Sequence, residues 1–299
     1  MLYFFIIVLI YMLLGVHCAK VSHILDDKTV APSMSAAITR DVQACQAVTD
    51  IKCAQLFTIG PRSSSVGLVD YATCKAKNLF LIVHAAYILV GIWRVKPDNA
   101  HTQMSKKRLA LLTDHLKTCV KLNSKMLVLH LPRDYPDEIL ATMSVIVPIA
   151  AQYKVKLALE MTASKSHADR TYETPEKIDN LTKILNDQFK NKWCWALDTA
   201  HVWSTGSDIR GANAASFFSR LAYKSAIGLI HLNGSSVKLG AGGDKHEIAG
   251  GPRDNIFNAE SLAAVIKFAN VQKIPVICEV NRGTQSDFFK LLRKIKKQL

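Results

Sequence analysis

Eight short runs of apolar, β-prone residues recur along this chain, and the last six carry a histidine or a carboxylate at or beside their final residue. The runs cover residues 20–23, 53–58, 79–84, 125–130, 155–160, 193–198, 226–231 and 275–280. Their hydrophobicity is continuous rather than alternating, as in strands buried on both faces, and such strands belong to parallel sheets. Between them, residues 106–122 place Leu109, Leu112, Leu116 and Val120 on one helical stripe. Residues 136–153, 175–189, 213–223, 259–270 and 286–299 read the same way. Eight strands alternating with helices predict an α/β fold, a (β/α)8 TIM barrel closed by right-handed crossovers. A doubly wound open sheet is the alternative, but no GxGxxG follows the first run.

The polar residues then acquire a meaning. His84, His130, Glu160, Asp198 and His231 end runs three to seven, and Glu279 stands one residue from the end of the eighth. In a parallel barrel all C-terminal strand ends meet on one face, where barrel enzymes carry their chemistry. Any one of these residues alone reads as a hydrogen-bonded structural group. Six in register read as a site. Loops add His201, three residues after Asp198, and the pair Asp244 and His246 around Lys245, flanked by Gly240, Gly243, Gly250 and Gly251. Alternate residues of an extended loop point to one side, although a solvated loop is the plainer reading of that pair taken alone.

Five imidazoles and four carboxylates with no thiolate cluster suit Zn²⁺, with Mn²⁺ as the alternative at one site. Nine donors exceed one tetrahedral ion and fit two or three ions that share a bridging ligand. Such a cationic centre polarises a phosphoryl group and stabilises a leaving oxygen, which implies phosphodiester hydrolysis.

Composition is consistent with an anionic substrate. Lys plus Arg number 38 against 24 Asp plus Glu, a net charge of +14, and such a surplus favours nucleic acid or a membrane surface as partner, or serves solubility alone. The seven cysteines form no CxxC pair, and Cys53, Cys194 and Cys278 fall within apolar runs, as expected in a reducing compartment. Residues 1–16 are apolar and carry no charge. As a helix they would span roughly 24 Å, short of the ~30 Å hydrocarbon core. The division expected is therefore residues 1–19 as a signal peptide or membrane anchor and residues 20–299 as the barrel. Lys20 and Lys28 after the segment favour an anchor that leaves the barrel in the cytosol or nucleus; the secretory pathway is the alternative if the segment is a cleaved signal. Two acceptor sequons, at Asn180 and Asn233, bear on this, because a glycan on Asn233 would obstruct the site beside His231.

The motifs together carry a family resemblance. Val83-His84-Ala85-Ala86-Tyr87, Leu129-His130, Leu159-Glu160-Met161-Thr162-Ala163, Leu197-Asp198-Thr199-Ala200-His201, His231-Leu232-Asn233, Gly243-Asp244-Lys245-His246 and Cys278-Glu279 resemble, in order, the signatures of the endonuclease IV family. The resemblance implies a zinc-dependent apurinic/apyrimidinic endonuclease with three zinc ions. One would be held by His84, His130 and Glu160; the second by Glu160, Asp198, His231 and Glu279; the third by His201, Asp244 and His246. Glu160 would be the catalytic bridge that orients the attacking hydroxide. The implied reaction cuts double-stranded DNA 5′ to an abasic site, leaving a 3′-hydroxyl and a 5′-deoxyribose phosphate, with 3′-end cleaning as a further activity, by a monomer. The segment from Phe57 to Arg62 resembles the loop that places an arginine in the minor groove. Tyr87 and Ile88 resemble the pair that wedges into the base stack beside a flipped abasic nucleotide; ordinary loop packing is their plain reading.

This chain departs from the family pattern at Gly234, where Asp is usual after His-Leu-Asn, and at Lys245, where Arg is usual. Leu131-Pro132 and Val280-Asn281 also differ, and none of these changes removes a ligand. Two rival readings stand beside the endonuclease: a metal-dependent sugar isomerase on a related barrel, and an anchored DNA-binding protein without catalysis.

Overall fold

The computed structural model describes residues 13–18, 34–57, 79–132, 134–163, 172–280 and 282–298. Eight parallel strands close a barrel in the order β1-β10-β7-β6-β5-β4-β3-β2. They are β1 (Leu14–His17), β2 (Cys53–Phe57), β3 (Phe80–His84), β4 (Met126–His130), β5 (Lys156–Glu160), β6 (Trp193–Asp198), β7 (Ile227–His231) and β10 (Val276–Cys278). Two-residue strands β8 (Gly234–Ser235) and β9 (His246–Glu247) form a small antiparallel hairpin outside the barrel.

Helices pack around the strands: α1 (Met34–Gln46), α2 (Gln103–Lys121), α3 (Pro136–Gln152), α4 (Pro175–Phe189), α5 (Thr199–Thr205), α6 (Ala212–Arg220), α7 (Ala259–Gln272) and α8 (Gln285–Lys296). Their starts follow from local chemistry. Thr102, Thr174 and Thr284 accept the amide three residues on, and Asn258 forms a reciprocal box with Ser261, each satisfying amides that the first turn leaves open. A 3-10 helix, Tyr87–Arg94, follows β3 directly.

The first strand corrects an expectation. The barrel does not open with residues 20–23, which lie outside the described residues; its first strand is Leu14–His17, which begins inside the uncharged segment and ends one residue past it. This strand pairs with both β2 and β10, so the barrel closes through it. Gly15 shows how tightly: a Cβ there would lie 2.5 Å from the Cys53 carbonyl oxygen and 2.6 Å from Ile277 Cδ1. Among the described residues no helix is long and apolar enough to cross a membrane. The expected anchor or signal falls, for residues 1–12, on a stretch outside the described residues.

The strand period of two separates two cores. Leu81, Val83, Leu127, Leu129, Leu157 and Leu159 face the helices. Cys53, Ile82, Val128, Ala158, Ala196, Leu229 and Ile277 pack together inside the barrel, and Gly15 completes that inner layer. Two residues further along each strand the same inward direction recurs, and there the polar residues stand.

Candidate metal centre

That next layer consists of His17, Gln55, His84, His130, Glu160, Asp198, His231 and Glu279, one residue from each strand or its immediate end. All are buried except His130, whose side chain is 21% exposed. Six of the eight were expected from the sequence. His17 and Gln55 are not among them: the first closes the uniform apolar run of residues 1–16, which hides its strand, and the second stands in mid-run between Ala54 and Leu56.

Glu160 is the hub of the ring. Its Oε2 lies 3.0 Å from His84 Nε2 and 3.3 Å from His130 Nε2, while its Oε1 lies 3.0 Å from His231 Nδ1. Asp198 works in two directions. Its Oδ1 caps α5, accepting from the amides of Ala200 at 2.7 Å and His201 at 3.1 Å, and this cap delivers His201 to the site from the first turn. Its Oδ2 accepts from Asn233 Nδ2 at 2.7 Å and stands 3.5 Å from His246 Nε2. The hairpin strand β9 supplies His246, and Asp244 lies 3.0 Å from His246 and 3.6 Å from His201, with its side chain 59% exposed.

The donor atoms gather into three groups, each within 4.8 Å: His84, His130 and Glu160; Glu160, Asp198, His231 and Glu279; and Asp198, His201 and His246. The first two are the sets that the sequence resemblance implies. In the third, Asp198 joins His201 and His246, and Asp244 stands at its open side.

Proton logic tests whether cations fit. A backbone carbonyl only accepts, so His84 Nδ1 donates to Ala85 O at 2.8 Å and its Nε2 turns a lone pair towards Glu160. His201 Nδ1 likewise donates to Met161 O at 2.5 Å, which leaves its Nε2 facing His246 Nε2 at 3.3 Å and Asp244. Acceptors aimed at acceptors in a buried space need a positive charge between them. Burial lowers the His84 pKa despite Glu160, so a proton is disfavoured there. At His201 burial acts downward, but Asp198, Asp244 and Glu160 outweigh it and hold the ring at about 10. His231 is raised to about 9 in the same way, Glu279 and Glu160 overcoming burial. Burial would push Glu160 up, yet His231 and His130 hold it well below the usual carboxylate range. Four carboxylates set among the imidazoles form a pocket that attracts positive charge, and its nitrogen and oxygen donors match Zn²⁺. Among the described residues no cysteine joins these groups, and burial pushes the Cys119, Cys194 and Cys278 thiols up to about 12, so they stay protonated.

Supporting contacts fix the ring. Gln55 Nε2 donates to Glu279 Oε1 and lies 3.2 Å from His17 Nδ1, and His17 Nδ1 lies 2.7 Å from Glu279 Oε1. Asn233 Oδ1 accepts the Glu279 amide at 3.0 Å. Asn233 is buried and its amide bonds to Asp198 and to the Glu279 backbone, so the folded chain leaves no room for a glycan on it. Trp93 Nε1 donates to His130 O at 2.7 Å. His115 Nε2 accepts the Ala86 amide at 3.3 Å, and burial lowers this imidazole to about 4, which keeps it neutral.

The rim carries the expected wedge residues. Tyr87 packs its ring 4.9 Å from His130 and 5.3 Å from Phe57. Ile88 next to it is 52% exposed and Val90 47%, an apolar edge beside a polar pocket. Arg62 lies outside the described residues. Gly234 has a physical reason: a Cβ there would stand 2.5 Å from Asp254 Cγ. The Asp254 carboxylate fills that space and gathers the amides of Ser235, Gly250, Ile256 and Phe257 at 2.7–3.0 Å. A carboxylate therefore does stand next to position 234, supplied from elsewhere in the chain.

A family model described as a xylose isomerase-like TIM barrel matches residues 71–297. A probable AP endonuclease of African swine fever virus (isolate Pig/Kenya/KEN-50/1950) is 30% identical over 209 residues, which is 65% of this chain and 66% of that protein. The chain thus spans about two thirds of the length of the curated relatives it matches first. The crystal structure of AsfvAP:AG superposes with a TM-score of 0.75 at 21% identity, covering 96% of this chain and 97% of the other. Endonuclease IV from Thermus thermophilus gives 0.68 at 20% identity, covering 96% and 99%. At those identities the two structures speak for the fold.

Proposed function

The chain belongs to the xylose isomerase-like TIM barrel family, and from that premise we propose that it is a zinc-dependent DNA-repair endonuclease that hydrolyses the phosphodiester 5′ to an abasic site. The observation that carries this reading is the sharing of Glu160 and Asp198 between donor groups. A sugar isomerase on such a barrel needs fewer ions, and a residual scaffold would not keep nine donors. The names of its relatives, AP endonuclease and endonuclease 4, point the same way.

His84, His130 and Glu160 would hold one ion; Glu160, Asp198, His231 and Glu279 a second; and His201, Asp244 and His246 a third, with Asp198 beside it. When bound, such ions supply Lewis-acid polarisation of a phosphoryl oxygen and a nucleophile at neutral pH. The chain's own residues do the rest. Gln55, His17 and Asn233 orient Glu279, His231 and Asp198, and fixed second partners of this kind set both ring tautomer and ligand direction. Tyr87 and Ile88 fill the gap in an opened base stack, and an abasic nucleotide is cheap to open because it has no base to unpair. Arg62 enters the minor groove. The products are a 3′-hydroxyl and a 5′-deoxyribose phosphate, and removal of blocked 3′ ends uses the same chemistry on a shorter substrate.

The test is incubation of the zinc-loaded chain with an end-labelled duplex bearing one abasic site, and in parallel with free ketoses and aldoses. Incision on the 5′ side with an extendable 3′ end is expected. Sugar isomerisation without incision would replace this reading by the isomerase.

A further inference from the structure

One fully buried imidazole lies outside the polar ring and has no part in its chemistry. His115 stands on the buried stripe of α2, which otherwise reads Leu112, Leu116 and Cys119. A leucine would pack there without burying a polar group, so packing alone does not account for the ring. Its one polar contact does. Nε2 accepts the Ala86 amide at 3.3 Å, and Nδ1 meets no partner among the described residues. A backbone amide only donates, so Nε2 offers its lone pair and Nδ1 carries the proton. Burial, with His84 adding to it, lowers this imidazole to about 4, which leaves the lone pair available at neutral pH.

The Ala86 amide is one half of a peptide unit whose other half touches the donor groups. The Ala85 carbonyl of that unit accepts from His84 Nδ1 at 2.8 Å. A peptide unit is planar, with its N–H and C=O turned to opposite sides, so neither group is re-aimed without the other. His115 on one side and His84 on the other thus hold a single rigid plate, while the Ala85 amide, donating to Val128 O at 2.9 Å, fixes the plane before it. Both alanines are buried, so solvent does not replace His115 as the partner of the amide. Hydrogen bonds in such a row polarise one another: a bonded N–H makes its carbonyl the better acceptor. A firmly bound Nδ1–H in turn makes the opposite nitrogen of His84 the more basic ligand.

We propose that His115 is a positioning residue for His84: through the Ala85–Ala86 peptide it keeps the proton on His84 Nδ1 and aims Nε2 into the group formed with His130 and Glu160. The inference rests on the reading of His84 as a metal ligand. It assigns the second partner of that ligand to a helix outside the barrel, reached through the backbone and not through a side chain.

Cobalt(II) titration of the chelator-treated full chain tests it, read by visible absorption and by metal bound per chain, with melts to show that each variant is folded. His115→Phe keeps a ring and loses the lone pair; His115→Gln keeps an acceptor for the amide. In the first variant the affinity for one cobalt equivalent should fall roughly 10–100-fold, and the second should recover most of that loss. A folded His115→Phe chain with wild-type affinity would overturn the proposal. So would a folded His115→Gln chain as weak as the first, since the ring would then matter as packing only. Nitrogen-15 imidazole spectra of the wild type read the tautomer whether or not a variant folds: the His115 proton should sit on Nδ1, and a proton on Nε2 would overturn the proposal. A wild type that takes up no cobalt would overturn the metal-centre reading instead, and the tautomer would then decide the His115 contact alone.

Discussion

Gln55 and His231 meet at 2.9 Å, the amide Oε1 accepting from the imidazole Nε2. With Nε2 committed to that amide, Nδ1 is the nitrogen turned to Glu160, Asp198 and Glu279, at 3.0, 3.8 and 3.5 Å, and it would offer its lone pair to an ion that displaces the proton those carboxylates hold there. The other end of the same amide donates to Glu279. One neutral side chain thereby fixes the ring and the carboxylate of a single donor group. Gln55→Leu is expected to keep the fold, lower the metal content, and reduce incision by roughly 10–100-fold. Metal analysis of the purified variant beside a rate measurement checks this. Full metal occupancy with an unchanged rate would remove Gln55 from the account.

Deleting residues 1–19 is expected to abolish folding, because it removes β1 and leaves β2 and β10 as open edges. Deleting only residues 2–12 should leave the barrel intact. Circular dichroism and thermal melts of the two chains separate the cases. A cooperative melt from the chain that begins at Lys20 would contradict the place of Leu14–His17 in the barrel.

Strands β3 to β7 were legible in the sequence because each apolar run ends at a polar residue, so the run marks the strand and its last residue marks the site. Residues 1–16 offer no such boundary: one uniform run hides a four-residue strand, and a continuous apolar stretch does not reveal its own conformation. His17 closes that run as His84 closes β3, and this was the signal that could have found it. Gln55 carried a fainter one, a lone amide inside an otherwise apolar strand. The hairpin that carries His246 was visible only as an Asp-x-His spacing, since Asp254 ties its other strand, through the Ser235 amide, to the amides of Gly250, Ile256 and Phe257 in its own loop.

His115 gives a pH prediction. Its pKa falls from 6.5 to about 4 in the folded chain, mainly through burial, with His84 adding to it. Between those values the unfolded chain binds more protons than the folded one, so stability is fully present above pH ~6.5 and is lost as pH falls towards 4, by up to roughly 3 kcal/mol. His115→Gln keeps an acceptor for the Ala86 amide and does not titrate. Melting of the chelator-treated protein between pH 4 and 6.5 should be steeper in pH for the wild type than for this variant. Identical slopes would sink the assignment.

Ile88 is expected to act on DNA and not on stability. Half its surface is exposed, so Ile88→Asp should change the melting temperature little while weakening binding to an abasic duplex by roughly tenfold, the charge being unable to enter a base stack. Fluorescence anisotropy with abasic and undamaged duplexes reads the difference. A variant that binds the abasic duplex as the wild type does would make Ile88 plain loop surface.

Binding itself should fall steeply with salt, because each phosphate contact by Lys or Arg releases counterions. Anisotropy with an abasic duplex at low and moderate salt measures the slope. A flat response would contradict nucleic acid as the substrate.

Glu160 is the one side chain that belongs to two donor groups at once, apart from Asp198, whose Oδ1 is committed to capping α5. Glu160→Gln keeps the size and removes the anionic oxygens that both groups share. The most direct measurement is therefore the rate at which the zinc-supplemented Glu160→Gln chain incises an abasic duplex, beside a melt that shows it folded. The rate should fall by more than roughly 100-fold, beyond the loss that a supporting residue causes. A folded variant that cuts at near the wild-type rate would contradict the shared-carboxylate centre on which the proposed function rests.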